Sequence, residues 1–394
     1  GAFVDPLDPC SRRFDLNRWV CALFTLPRHA FSRGQRRCDP AVVSLHRRRL
    51  VNLETPSTRR ARRSAAPGSH ACVACRFSDR LDVCAFPHLL GRDAHDRSKF
   101  GASAMALPFG GSPVIKYLGS KRTLLPTIVE TIGRLENTRS VVDMFSGTSR
   151  VGHALKKVGY RVLSNDHNAY AATLSRCYVQ ADSDLCESAK DLIETLNQIE
   201  GRPGYFTEQF CENSRFFQPK NGARVDAIRE AIHKMVLSEE MESILLTSLM
   251  EAADRVDSTT GVQMAYLKKW APRAHKDLKL RLPEILPQAQ AGKGESHQLD
   301  ALEAAATLRA DVVYLDPPYN QHKYLGNYHI WESLVRWDKP EVYGIACKRV
   351  DVRERKSPFN SKPAFRATFE KLVSTIDAKA LVVSFSNEGF LNRE

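Results

Sequence analysis

The chain reads as an α/β protein on an open, largely parallel sheet, and three segments carry that reading. Val141-Val142-Asp143-Met144-Phe145 has the pattern of a strand and runs into the small-residue turn Ser146-Gly147-Thr148-Ser149. Val151, Ala154, Leu155 and Val158 then share one helical face. Arg161 to Ser164 forms a second strand that ends in Asn165-Asp166. The third segment, Val312-Val313-Tyr314-Leu315, reads as a buried strand and stops at Asp316-Pro317-Pro318-Tyr319. In open α/β sheets ligands bind at the carboxyl ends of the strands, where each of these segments places polar residues.

A length of 394 residues accommodates two domains, or one large domain with an insertion. No apolar run approaches the roughly 18 residues that span a bilayer, so the expectation is a cytoplasmic protein without a membrane segment. The formal charge of +13 suggests a polyanionic partner, but it is unevenly spread. Residues 1–104 hold 18 Arg, one Lys and nine acids, a net of +10 that leaves +3 for the rest. Six of the ten cysteines also lie there, and Cys177, Cys186, Cys211 and Cys347 are scattered in the manner of cytosolic thiols.

Residues 1–104 show no sustained period, the chain opens on Gly1, and the first methionine is Met105. They are expected to be a poorly structured, Arg-rich extension outside the native protein, which would begin near Met105. A basic arm adding salt-sensitive DNA affinity is a second reading. A zinc knuckle through Cys72, Cys75, Cys84 and His88 is a third. Trp19 to Leu26 is too short and interrupted for a secretory signal.

Lys116-Tyr117-Leu118-Gly119-Ser120-Lys121-Arg122 precedes a helical pattern at Leu124, Leu125, Ile128 and Ile132, with Ser120 as candidate cap. Lys116 and Lys121 suit a carboxylate or phosphate, or simply form a solvated basic turn. Gly147 lets backbone approach a ligand closely. Asp166, about 20 residues on, stands where a doubly wound fold holds ribose hydroxyls. With no further glycines and no P-loop lysine, a nucleoside without pyrophosphate fits better than a dinucleotide.

Residues 205–285 read as helical, with Ile228, Ile232 and Val236 on one face and an apolar helix from Met241 to Ala253. Arg215, Phe216, Phe217, Lys220, Arg224, Arg255, Lys268, Lys269, Arg273, His275 and Lys276 supply cations interleaved with aromatics for positioning DNA, or a solvated face. Asn327 to Trp337 reads as a further helix, and Lys348-Arg349 to Lys356 as a phosphate-contacting loop. His322 and His329 are not assigned as bases, and no metal constellation stands in residues 105–394.

Asp316 to Tyr319 suits chemistry on an exocyclic amino group of a nucleobase. Such a nitrogen is a poor nucleophile because its lone pair is delocalised into the ring. A carboxylate and the carbonyl of Pro317 can each accept one N–H, which favours a pyramidal nitrogen. The prolines stiffen the backbone and remove donors, and Tyr319 offers a face for an extruded base. An ordinary turn with a chance Pro-Pro is the competing reading of the tetrapeptide alone.

Together these segments resemble the Dam-like DNA adenine-N6 methyltransferases, which use S-adenosylmethionine. The shared order is Lys116 to Lys121, Phe145 to Thr148, Asn165-Asp166, a variable target-reading region, Asp316 to Tyr319, then Ser384-Phe385-Ser386-Asn387-Glu388-Gly389-Phe390. The resemblance covers roughly 114–394. It implies a two-layer Rossmann-like methyltransferase sheet, catalytic over 105–200 and 296–394, with a helical target-recognition region at 201–295. It implies cofactor contacts from Lys116, Tyr117, Gly119, Lys121, Phe145, Ser146, Gly147, Asp166 and Asp300. Asp316, Pro317, Pro318 and Tyr319 would be catalytic, without a metal.

The implied partner is double-stranded DNA, with a restriction endonuclease acting on the same site, and the protein is expected to be a monomer. Ser149 stands where the family usually has a second glycine, and Ser386 where it usually has Asn. The family also continues past the strand Leu381 to Phe385, so the chain is expected to be a fragment with an open sheet edge. Alternatives are methylation of cytosine N4 or of adenine in RNA, which Asp316 disfavours only for cytosine, or a DNA-binding protein with a vestigial pocket.

Overall fold

The computed structural model describes Trp19–Thr25, Asp82–Ala85, residues 115–318 and 323–386, and Phe390. Tyr319, Asn387 to Gly389 and the knuckle residues Cys72, Cys75 and His88 lie outside the described residues. The strands of the main sheet in chain order are β1 (Trp19–Thr25), β2 (Asp82–Ala85), β3 (Ser140–Asp143), β4 (Arg161–Asn165), β5 (Glu295–His297), β6 (Val312–Leu315) and β7 (Ala380–Ser386). They lie in the order β2-β1-β7-β6-β3-β4-β5, and Val342–Tyr343 pairs with Lys348–Arg349 in a separate two-stranded ribbon. The run from β7 to β5 is parallel, whereas β1 meets both β7 and β2 antiparallel. The chain steps outward from β3 through β4 to β5 and returns on the other side of β3 as β6. The switch point, where open sheets form a crevice, therefore lies between β3 and β6.

Alternate residues of each strand serve opposite faces of the sheet. Val141, Val162, Val312, Tyr314 and Val382 pack with Ile128 and Ile132 of α1 (Leu125–Gly133) and Leu155 of α2 (Arg150–Lys157). Ser120 makes no side-chain capping bond, and Leu124 is the residue before α1. After β4 come α3 (Ala169–Ser175), α4 (Cys186–Asn197), α5 (Pro219–Lys234) and α6 (Glu239–Asp254). The side chain of Ser238 caps α6 by accepting from Met241 N at 3.2 Å, and Glu239, Glu240 and Glu242 suit its positive end.

Further along are α7 (Ala301–Thr307), α8 (His329–Arg336) and α9 (Lys362–Thr375). Ala304 and Ala305 of α7 and Phe365 and Leu372 of α9 cover the second face of the sheet, on Val142, Leu163, Val313, Leu315, Leu381 and Val383. The sheet is thus sandwiched between helices. The two-layer expectation is corrected to three layers, because both alternating sets of strand residues are apolar. A separate core joins Phe206, Phe217, Val225, Ile228 and Leu245 of the insertion to Tyr170 of α3 and Trp331 of α8.

Two expectations differ in detail. The helical reading of 205–285 holds only to Asp254; from there to Gly294 the regular element is the short 3-10 turn Pro272–His275. Pro272, Pro283 and Pro287 and three glycines oppose a longer helix. Val236 lies beyond the end of α5 and is fully exposed, so it does not share the face of Ile228 and Ile232.

The edge of β7 is also not open. Its partner is β1, in register from Trp19↔Ser386 to Thr25↔Ala380, so two strands come from the segment expected to lack structure. Unpaired N–H and C=O groups along a strand edge attract any extended apolar segment within reach. The sequence Trp19-Val20-Cys21-Ala22-Leu23-Phe24-Thr25 has the β-branched and aromatic content for that role.

Candidate active site

The carboxyl ends of β6, β3 and β4, with the segment after β5, open into one cavity of about 190 Å³. It is lined by Tyr117, Gly119, Lys121, Phe145, Ser146, Gly147, Asp166, Asp300, Asp316 and Pro318, ten of the residues singled out in the sequence. Lys116 and Pro317 are not among the lining residues.

The turn after β3 is held by its neighbour strand. Ser146 N donates to Asn165 O at 2.9 Å, and Gly147 N donates to Asp166 Oδ2 at 3.0 Å. Gly147 has φ 52°, and a Cβ there would lie 3.3 Å from the Tyr117 ring, so both conformation and space call for glycine. The other oxygen of Asp166 accepts from Asn168 N at 3.0 Å. Burial raises its carboxyl above the ordinary range, and these bonds oppose that rise. Asn165 fixes the far wall by accepting from Leu299 N at 3.0 Å, and Asp300 caps α7 from an exposed position.

At the switch point, Lys121 Nζ lies 2.7 Å from Asp316 Oδ2, with both side chains largely buried. Asp316 Oδ1 is buried without a partner among the described residues, as is Ser146 Oγ. Burial raises the Asp316 carboxyl and Lys121 lowers it. Tyr117 stacks on Tyr328 at 4.5 Å and on Tyr324 at 5.4 Å, which makes a flat aromatic wall above the Gly119 turn.

Lys116 faces elsewhere. Its ammonium pairs with Asp254 at 2.9 Å and Asp257 at 3.3 Å, tying the segment before α1 to the end of α6. Most of the cations proposed to face DNA are engaged similarly. Arg273 pairs with Asp257 at 2.7 Å and Lys220 with Asp277 at 2.6 Å, while Arg224 donates to Asn197 O at 3.0 Å. Phe216 and Phe217 are core residues, and Arg215 lies over Trp270. Lys268, Lys269, His275 and Lys276 remain exposed.

Arg349, placed in a phosphate-contacting loop, is instead buried between Asp338 and Asp351, at 2.7 and 3.0 Å. His329 is buried against Ala346 O at 2.8 Å, and burial lowers its pKa to about 4, so it is a neutral core residue.

Sequence reasoning missed several lining residues. Asp143 reads in the sequence only as part of a strand, yet it is 1% exposed and borders the cavity. A lone carboxylate in an apolar strand is the signal that could have found it. Burial, with Asp316 next in effect, pushes it up to about 7. Arg150 and the segment Ser357 to Asn360 also escaped, whereas Thr148 belongs to the recognised turn and Arg355 and Lys356 to the loop expected to contact phosphate. Phe359 meets Phe145 edge-on at 5.3 Å, and Arg355 pairs with the buried Glu332 at 2.8 Å. No spacing rule links residue 359 to residue 145.

Residues 117–388 match the family described as D12 class N6 adenine-specific DNA methyltransferase. The chain belongs to this family. Among its relatives, the type II methyltransferase M.FokI of Planomicrobium okeanokoites is 32% identical over 300 residues, covering 71% of this chain and 46% of that protein. M.NlaIII of Neisseria lactamica is 30% identical over 291 residues, covering 71% and 85% respectively. The modification methylase StsI of Streptococcus sanguinis is 28% identical over 297 residues, covering 71% and 45%. The chain thus spans about half the length of M.FokI and StsI and most of M.NlaIII. Membership of a methyltransferase family implies S-adenosylmethionine as the methyl donor. Among the described residues no helix is long and apolar enough to cross a membrane, and no cluster of His, Cys, Asp and Glu could hold a metal ion.

Proposed function

We propose that this protein methylates the N6 amino group of an adenine flipped out of a specific duplex DNA sequence, using S-adenosylmethionine. The observation that carries the reading is Asp316 at the switch point, opening into the same cavity as Asp166 two strands away. The cofactor fits the donor set: buried polar atoms of Asp316 and Ser146 lack partners among the described residues, and Gly147 admits close approach. Asp166 would hold the ribose, Asp300 would face the adenine end, and Tyr117, Gly119, Ser146 and Gly147 would line the path between. Bound there, the cofactor supplies a methyl group on a positively charged sulfur, an electrophile for a nitrogen lone pair.

The chain's own part is to orient the target. Asp316 and the Pro317 carbonyl accept the two amino protons, with Tyr319 as the stacking face. Flipping costs a few kcal/mol, and fixing two reactants in register is the main source of rate. The amino group can bond Asp316 Oδ1, which has no partner among the described residues, while Lys121 stays on Oδ2. The amino proton becomes acidic after transfer and leaves to solvent, so no histidine base is required. Exposed Lys268, Lys269, His275 and Lys276 are the cations available for phosphate contacts.

The relatives named type II methyltransferases and modification methylases favour duplex DNA over RNA and a restriction–modification role beside an endonuclease reading the same site. Action as a monomer in the cytoplasm completes the reading. The test is labelled methyl transfer from S-adenosylmethionine to duplex DNA and to RNA, with wild type and Asp316→Ala. Transfer to adenine N6 in DNA, abolished by the substitution while cofactor binding persists, is expected. Undiminished turnover in Asp316→Ala, or label on RNA alone, refutes the assignment.

A further inference from the structure

Arg150 is the first residue of α2 and lines the cavity directly after the Phe145 to Ser149 turn. Its Nε is buried without a partner, and among the described residues it forms no ion pair. The other cations lining the cavity are committed or peripheral. Lys121 holds Asp316 at 2.7 Å, and Arg355 holds Glu332 at 2.8 Å. Lys323 and Lys356 are exposed at the rim. Lys116, expected to contact the cofactor, is bound to Asp254 and Asp257.

Against these cations the cavity sets the carboxylates of Asp143, Asp166, Asp300 and Asp316. That set suits a ribose, a sulfonium and an ammonium, but it repels the one anionic group of S-adenosylmethionine, its α-carboxylate. The strand order gives the direction. Asp300 and Asp166 stand at the β5 and β4 side and Asp316 at the β6 side, so the amino-acid tail extends away from Asp300. Arg150 belongs to the helix that follows β3, and the charge of Arg122, next to Lys121, bears on it. Burial and then Arg122 lower the Arg150 pKa; Tyr178 and Glu251 oppose that fall, and an anion in the cavity would oppose it further.

We propose that Arg150 binds the α-carboxylate of the cofactor's methionine moiety and makes the site selective for an intact amino-acid tail. The proposal rests on the cofactor assignment above. A duplex phosphate is the competing anion, and the buried Nε argues for a ligand inside the cavity.

The test compares S-adenosylmethionine with its decarboxylated analogue, which lacks only that carboxylate, by calorimetric titration of the full chain. Wild type is expected to prefer S-adenosylmethionine by about tenfold or more, the scale of a charge-assisted hydrogen bond. Arg150→Met should lose that preference by weakening S-adenosylmethionine while leaving the analogue within about twofold. Arg150→Lys, which keeps the charge, should retain part of it.

Equal weakening of both ligands by Arg150→Met, or a loss confined to DNA affinity, overturns the proposal. So does the absence of any preference in wild type, which needs no variant and stands even if Arg150→Met fails to fold. Binding of neither ligand by wild type would instead strike at the cofactor assignment.

Discussion

Replacing Asp143 with Asn should stabilise the protein above neutral pH and lose that advantage in acid. Asp143 ends β3 at 1% exposure. Burial first, then the like charges of Asp316 and Asp166, raise its carboxyl from 3.8 to about 7; Lys121 and the Gly152 amide oppose the rise. At roughly 1.4 kcal/mol per pH unit this displacement is worth about 4 kcal/mol. In the unfolded chain the group ionises near its ordinary value, whereas in the folded chain it keeps its proton to about 7. Wild-type stability from this group is therefore complete below pH 3.8, falls through the interval, and is lost above about 7. An amide side chain keeps the shape and carries no charge at any pH. The Asp143→Asn protein should thus gain on wild type as pH rises from about 4 to about 8, by a few kcal/mol, or on the order of 8 °C in Tm. Thermal unfolding of both proteins at closely spaced pH values measures the difference. A difference that stays flat across that interval would show that Asp143 ionises normally in the fold and would refute the argument.

Two further substitutions address the ion pairs. Lys121→Met removes the cation that lowers the Asp316 carboxyl, so the acid limb of the methylation profile should move to higher pH; an unmoved limb in a pH–rate series would exclude a functional pair. Arg349→Met removes the buried cation between Asp338 and Asp351 and leaves the more exposed Arg336, at 3.1 and 3.5 Å, as the cation they share. The expected loss is about 3 kcal/mol in urea unfolding, with no change in the salt dependence of DNA affinity; a shallower salt slope would restore the phosphate-contact reading.

The sheet and its ligand edge were legible because they depend on local pattern. Short apolar runs ending at Phe145, Asp166 and Asp316 announce strands, and the residues beyond them are polar or small for a chemical reason. The loops were less legible because their cations looked alike. Lys116, Arg273 and Arg349 read as ligands for phosphate or cofactor, yet each is paired with aspartates distant in sequence or buried beside them. A charge says nothing about its partner until the fold is known. The strand Trp19–Thr25 escaped for a related reason: its pairing with Ala380–Ser386 spans almost the whole chain, and the surrounding composition gave no period.

The segment after α8 illustrates how such distant pairings complete the site. Glu332 is fully buried in α8, where it accepts from Tyr170 N at 3.1 Å and from Arg355 at 2.8 Å. One carboxylate thereby joins the start of α3, just after Asp166, to the strap that carries Phe359 onto Phe145. A buried charge missing one partner is costly, so Arg355 is held firmly and with it the residues that close the cavity to Asn360. The Glu332–Arg355 pair thus ties the strap at the cavity edge to the start of α3, while Asp166 itself is held by Gly147 N and Asn168 N. Neither end of that pair belongs to a motif, although both ends of what it positions do line the cavity.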